Sequence, residues 1–63
     1  MSAETKRKIE QAGSDLNSAD GYLKRAAERA AQGGDKALTE KIQKIQKTTE
    51  ETAKEVTKRL KEN

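Results

Sequence analysis

The chain has no cysteine, histidine, proline, tryptophan or phenylalanine, and a single tyrosine. Each absence removes a class of chemistry. Without cysteine there are no disulfides, no thiolate metal sites and no thiol nucleophile, and thiols carry no information about redox compartment. Without histidine the commonest general base and the commonest metal ligand are missing. The lack of proline removes the strongest helix breaker, which permits long helices. No apolar run approaches the ~18 residues of a membrane span, and the N-terminus lacks the apolar core of a signal peptide. These absences predict a soluble, cytoplasmic protein.

Large apolar side chains are scarce as well. Ile9, Leu16, Leu23, Leu38, Ile42, Ile45, Val56 and Leu60 are the whole supply of large aliphatics in 63 residues, below the ~20% content at which disorder becomes a serious prior. Disorder usually also requires a high net charge. Here 14 basic and 11 acidic residues leave only +3. A chain this short makes one domain at most and buries only ~60% of the surface its unfolded form exposes. Composition therefore fits either a solvated helical bundle or a chain that folds only with help, and argues against a self-sufficient globular core.

What is present is periodic. Ser2 suits a helix N-cap, with Glu4 in the first turn. From there a stripe runs Ile9, Ala12, Leu16, Ala19, Leu23, Ala26, Ala30, alternating steps of three and four, the spacing of an apolar heptad. Gly13, Ser14, Asp15, Asn17, Ser18, Asp20 and Gly21 interrupt it with poor helix formers, each glycine costing ~1 kcal/mol against alanine. A cap at Asp15 or Ser18 would split the segment. The unbroken phase on either side favours one continuous helix. Gly33 suits the left-handed residue that ends a helix, and Asp35 suits the cap of the next. The second stripe reads Leu38, Ile42, Ile45, Thr49, Ala53, Val56, Leu60 and repeats every 11 residues, a period that keeps a helix nearly straight. Glu4 with Lys8, Glu40 with Lys44, Glu50 with Lys54 and Glu55 with Arg59 stand four apart in the favoured order, each pair worth ~0.2–0.5 kcal/mol of helix support.

The predicted fold is all-α: an antiparallel two-helix hairpin forming a single unit over residues 1–63, with helix 1 about 3–32, a turn at 33–34 and helix 2 about 36–61. Folding at the glycine pair opposes the stripes so that small residues mostly meet large ones, for example Ala26 against Ile42, Leu16 against Ala53 and Ala12 against Val56. Such a hairpin buries only the inner edge of each stripe, too little apolar area to offset the ordering of 63 residues at ~1.5 kcal/mol each. Self-association into a four-helix bundle is the ordinary solution, with a homodimer favoured over another helical partner. The two stripes together form the expected assembly interface. The architecture is similar to the Rop hairpin, a four-helix bundle; no residue-by-residue match accompanies it, and it carries no function.

Counted from Asp15, a calcium loop would need an acid or Asn at Ala19, glycine at Asp20 and glutamate at Ala26, so that template fails. Carboxylates, serines and threonines are frequent, but no cleft or activating base accompanies them. The expectation is a non-enzymatic protein with no metal, no cofactor and no small-molecule substrate. Lys6, Arg7, Lys8, Lys24, Arg25, Arg29, Lys44, Lys47, Lys54 and Lys58 form a basic set that a dimer would double. This gives a second reading, a nucleic-acid-binding regulator tracking phosphates. Interspersed Glu40, Glu50, Glu51 and Glu55 weaken it, and only Tyr22 could serve as a stacking platform. A third reading is a conditionally folded stress or membrane-surface protein, for which bulky anchors are lacking. Residues 49–62, TEETAKEVTKRLKE, resemble one 11-residue repeat of the late-embryogenesis-abundant stress proteins. The resemblance implies a chain disordered in water and helical on drying or on membranes. The leading expectation remains a small protein acting by self-association and protein–protein interaction.

Overall fold

A computed structural model describes residues 1–62. It contains two α-helices, α1 (Ala3–Gln32) and α2 (Lys36–Lys61), packed against each other as a hairpin. The polar stretch from Gly13 to Gly21 is helical throughout. Ser2 caps α1: its Oγ accepts from the Thr5 amide at 3.1 Å. Asp35 caps α2, its carboxylate accepting from the Leu38 amide at 3.0 Å. These side chains satisfy amides that have no partner inside the helix.

The bend corrects one expectation. Gly33 remains right-handed, with φ −76; the left-handed residue is Gly34, with φ 78. The Gly34 amide donates to the Ala31 carbonyl and the Asp35 amide to the Ala30 carbonyl, both at 3.0 Å. This pair of crossed bonds is a Schellman motif, in which the residue after the C-cap takes the left-handed conformation. Asp35 thus closes the end of α1 through its amide and opens α2 through its side chain.

The seam between the helices follows heptad spacing on both, but not along both expected stripes. On α1 Ile9, Gly13, Leu16, Ala19, Asp20, Leu23, Ala26 and Ala30 are half-buried and Ala27 is buried, so of the expected α1 stripe only Ala12 stays exposed. On α2 they are Thr39, Ile42, Gln46, Thr49, Ala53, Val56 and Leu60. Thr39 and Gln46 occupy the seam where Leu38 and Ile45 were expected, and these two apolar residues stay 46% and 49% exposed. Gly13, rather than Ala12, meets Val56: a Cβ on Gly13 would lie 3.1 Å from Val56 Cγ1. The missing side chain lets the helices approach, which gives a physical reason for a glycine inside α1. The second helical glycine, Gly21, has nothing within 4 Å of its would-be Cβ.

All five threonines of α2 turn their hydroxyls back onto the helix. Thr39, Thr48, Thr49, Thr52 and Thr57 each donate to the carbonyl four residues earlier, at 2.8–3.3 Å. Two of the four expected ion pairs close, Glu4 with Lys8 at 3.4 Å and Glu55 with Arg59 at 3.0 Å. Glu50 instead accepts from Gln46 Nε2 at 3.4 Å.

Candidate functional site

Residues seven apart on an α-helix fall on nearly one line, and neighbouring lines of this kind lie about 50° apart. Three such lines on each helix describe the hairpin. On α1 the central line is Ile9, Leu16, Leu23 and Ala30. One flank is Gly13, Asp20 and Ala27, and the other is Ala12, Ala19 and Ala26. On α2 the central line is Ile42, Thr49 and Val56. Its flanks are Thr39, Gln46, Ala53 and Leu60 on one side, and Leu38, Ile45 and Thr52 on the other. The central lines and first flanks are half-buried or buried along their length, whereas on the second flanks Ala19 and Ala26 are half-buried and Ala12, Leu38, Ile45 and Thr52 are exposed.

The second flanks face out on the same broad side of the hairpin. A shallow groove there is lined by Leu16 together with Lys44, Ile45, Thr48, Thr49 and Thr52. Ala12 is exposed, and Ala19 and Ala26 are half-exposed. Of the large apolar side chains that remain exposed, Leu38 and Ile45 belong to this side and Tyr22 adjoins its α1 edge. The threonine hydroxyls here are already bonded within α2, so Thr48 and Thr52 present no free donor.

The opposite broad side is polar. Asn17, Asp20, Glu50, Ala53, Lys54 and Thr57 line one groove on it, and Ala31, Lys36, Thr39, Glu40 and Gln43 contribute to another nearer the bend. Asp20 lies at the seam edge, where its Oδ1 is buried without a hydrogen-bond partner. The hairpin is therefore amphipathic across its thickness, with one apolar and one polar broad side.

All residues of the candidate basic set are exposed, and helical rotation spreads them around the molecule. Lys6, Lys24 and Lys54 lie toward the polar side. Lys8 lies on the apolar side, paired with Glu4. Arg7 and Arg25 occupy the outer ridge of α1, where the Arg25 guanidinium sits 5.6 Å from the Tyr22 ring centre, and Arg29 falls on the line of Lys8 and Tyr22 at the edge of the apolar side. Lys44, Lys47 and Lys58 occupy the outer ridge of α2. The hairpin does not gather them into one strip. Among the described residues, no group of three or more Asp or Glu side chains is placed to hold a metal ion, and no helix is long and apolar enough to cross a membrane.

Sequence reasoning found the central lines and the second flanks, because these carry the apolar residues. On the first flanks it named Ala53 and Leu60 but missed Gly13, Asp20, Thr39 and Gln46, which are polar or lack a side chain, and the buried Ala27. The available signal was the step pattern read backward from Leu60, which reaches Gln46 and Thr39 without a break in heptad phase.

No protein-family model matches the chain, and no curated protein or solved structure is significantly similar to it.

Proposed function

We propose that this chain is a small non-enzymatic protein that acts by self-association and protein–protein interaction, two hairpins closing into a four-helix bundle. The observation that carries the reading is the incompletely covered second flank, where Leu38 and Ile45 stay 46% and 49% exposed. A helix that packs against one neighbour needs two apolar lines, whereas a helix facing the middle of a bundle carries a three-line face. Both helices have the third line, through Ala12, Ala19 and Ala26 on α1 and Leu38 and Ile45 on α2, and both aim it to one side. The hairpin alone supports the same reading from the other direction, since Ala27 is its only buried residue among those described. Its broad face measures 47 by 14 Å between Cα atoms. Widened by side chains, that face reaches the ~800 Å² each partner contributes to a standard interface. The opposite side carries Asn17, Asp20, Glu50 and Lys54 around its central groove, which disfavours a third layer and closes the assembly at two copies.

Sedimentation equilibrium together with circular dichroism across protein concentration tests this. The expected outcome is a dimer whose dissociation on dilution is accompanied by loss of helix. A fully helical monomer at every concentration would overturn the reading.

A further inference from the structure

We infer that the second copy lies with its bend at the same end as the first, so that α1 of each hairpin packs on α2 of the other. This rests on the self-association proposed above and concerns its geometry. Two face-to-face arrangements satisfy two-fold symmetry. With the axis along the bundle, the bends coincide and α1 faces the second copy's α2. With the axis across it, the bends lie at opposite ends, α1 faces α1 and α2 faces α2.

The Gly13–Val56 approach sets which residues of the two helices stand at the same height. By that register Leu38, Ala26, Ile45, Ala19, Thr52 and Ala12 succeed one another down the apolar side from the bend. Large and small residues alternate in height and sit on different helices. When the bends coincide, Leu38 and Ile45 of one copy enter the gaps beside Ala26 and Ala19 of the other, and Thr52 comes beside Ala12. When the bends are apart, the alanine rows meet each other. Ile45 then falls between Thr52 and Arg59 of the second copy, and Leu38 overhangs its chain ends. The large apolar residues of the second flank are concentrated in the bend half of α2, so only coincident bends bury them against apolar neighbours.

Charge acts the other way. Coincident bends place Arg29 near Lys41 of the second copy and Asp15 near Glu55. All four positions are exposed at the rim, where solvent and salt screen such pairs. Burying Leu38 and Ile45 in both copies is the larger effect.

The chain has no cysteine, so one introduced thiol gives a unique label. Gly33 accepts a side chain: its φ is −76, and an added Cβ meets only the Arg29 and Ala30 carbonyl oxygens at 3.5 and 3.6 Å. A spin-labelled Gly33→Cys dimer, checked for native helicity by circular dichroism, is expected to give a label–label distance under about 25 Å, from helices spaced 8–10 Å apart. A distance near the 47 Å length of the hairpin in an intact dimer overturns this arrangement and leaves self-association standing. A monomer by sedimentation overturns both. Lys61→Cys, at the far end of α2, serves as the independent second label and is expected to give a short distance too.

Discussion

Gly13 and Gly21 occupy the same helix and carry the same intrinsic penalty, yet their surroundings differ. Alanine at Gly21 meets open space, so Gly21→Ala is expected to stabilise the protein by about 1 kcal/mol. At Gly13 the added methyl would crowd Val56 at 3.1 Å. Gly13→Ala is expected to fall short of Gly21→Ala by about 1 kcal/mol or more, because overpacking cancels the propensity gain. Paired urea denaturations read the difference directly; equal gains at the two positions would show that the helices do not approach at Gly13. Asp20 offers a second case. Its buried Oδ1 has no hydrogen-bond partner, and aspartate is a poor residue inside a helix. Asp20→Ala removes both costs, and a rise in stability of about 1 kcal/mol is expected. A loss on that substitution would mean that the carboxylate has a partner in solution. None of these distinctions is available from composition. Gly13, Gly21 and Asp20 all look like interruptions of a stripe, and only the position of the neighbouring helix separates a necessary gap from a dispensable one.

At the level of the elements, much was legible before any coordinates. Ser2 and Asp35 announce the two helix starts, because a short side-chain oxygen in front of an apolar-periodic segment has one favourable use there. The bend was legible as a glycine pair but not as a division of labour between its members. Both glycines fit a helix end, and choosing between them requires knowing which carbonyls the following amides reach. The structure assigns the left-handed conformation to Gly34. Gly34→Ala is therefore expected to cost about 1–2 kcal/mol, whereas Gly33→Ala is expected to be neutral or mildly stabilising. Thermal melts of the two variants under identical conditions distinguish them, and the reverse order would place the left-handed residue at Gly33. The apolar stripes were legible in identity and misleading in direction. Ala12, Leu38 and Ile45 were expected between the two helices, on the assumption that the hairpin partner covers the most apolar lines. The seam instead admits Gly13, Thr39 and Gln46 and leaves those three exposed on one side. Hydrophobic pattern locates a face; the number of neighbours sharing that face is a property of the assembly.

For the molecule as a whole, the two broad sides predict opposite responses to the same change. Ile45 is already 49% exposed in the hairpin, so lysine there disturbs the seam little, while in a bundle it removes one buried isoleucine from each copy. At about 1.5–3 kcal/mol per side chain, Ile45→Lys is expected to weaken the dimer by about 100-fold or more. Gln43→Lys, on the polar side, is expected to leave assembly unchanged. Sedimentation of both variants beside the parent protein provides the check, and equal effects from the two would remove the basis for an apolar docking side. The elongated form, 47 × 14 × 10 Å between Cα atoms, is what two long helices and one bend produce when nothing else packs on them.

The bend also sets an order in time. Contacts beside it, such as those of Ala30 with the start of α2, close a loop of a few residues, while those between Ile9 and Leu60 close nearly the whole chain. Each doubling of loop length adds about 0.6 kcal/mol of closure entropy, so each turn of helix that pairs shortens the loop left for the next. The hairpin is expected to close like a zip from Gly34 outward and to fray from the chain ends inward. Amide exchange should then slow progressively along both helices toward the crossed hydrogen bonds at Ala30 and Ala31.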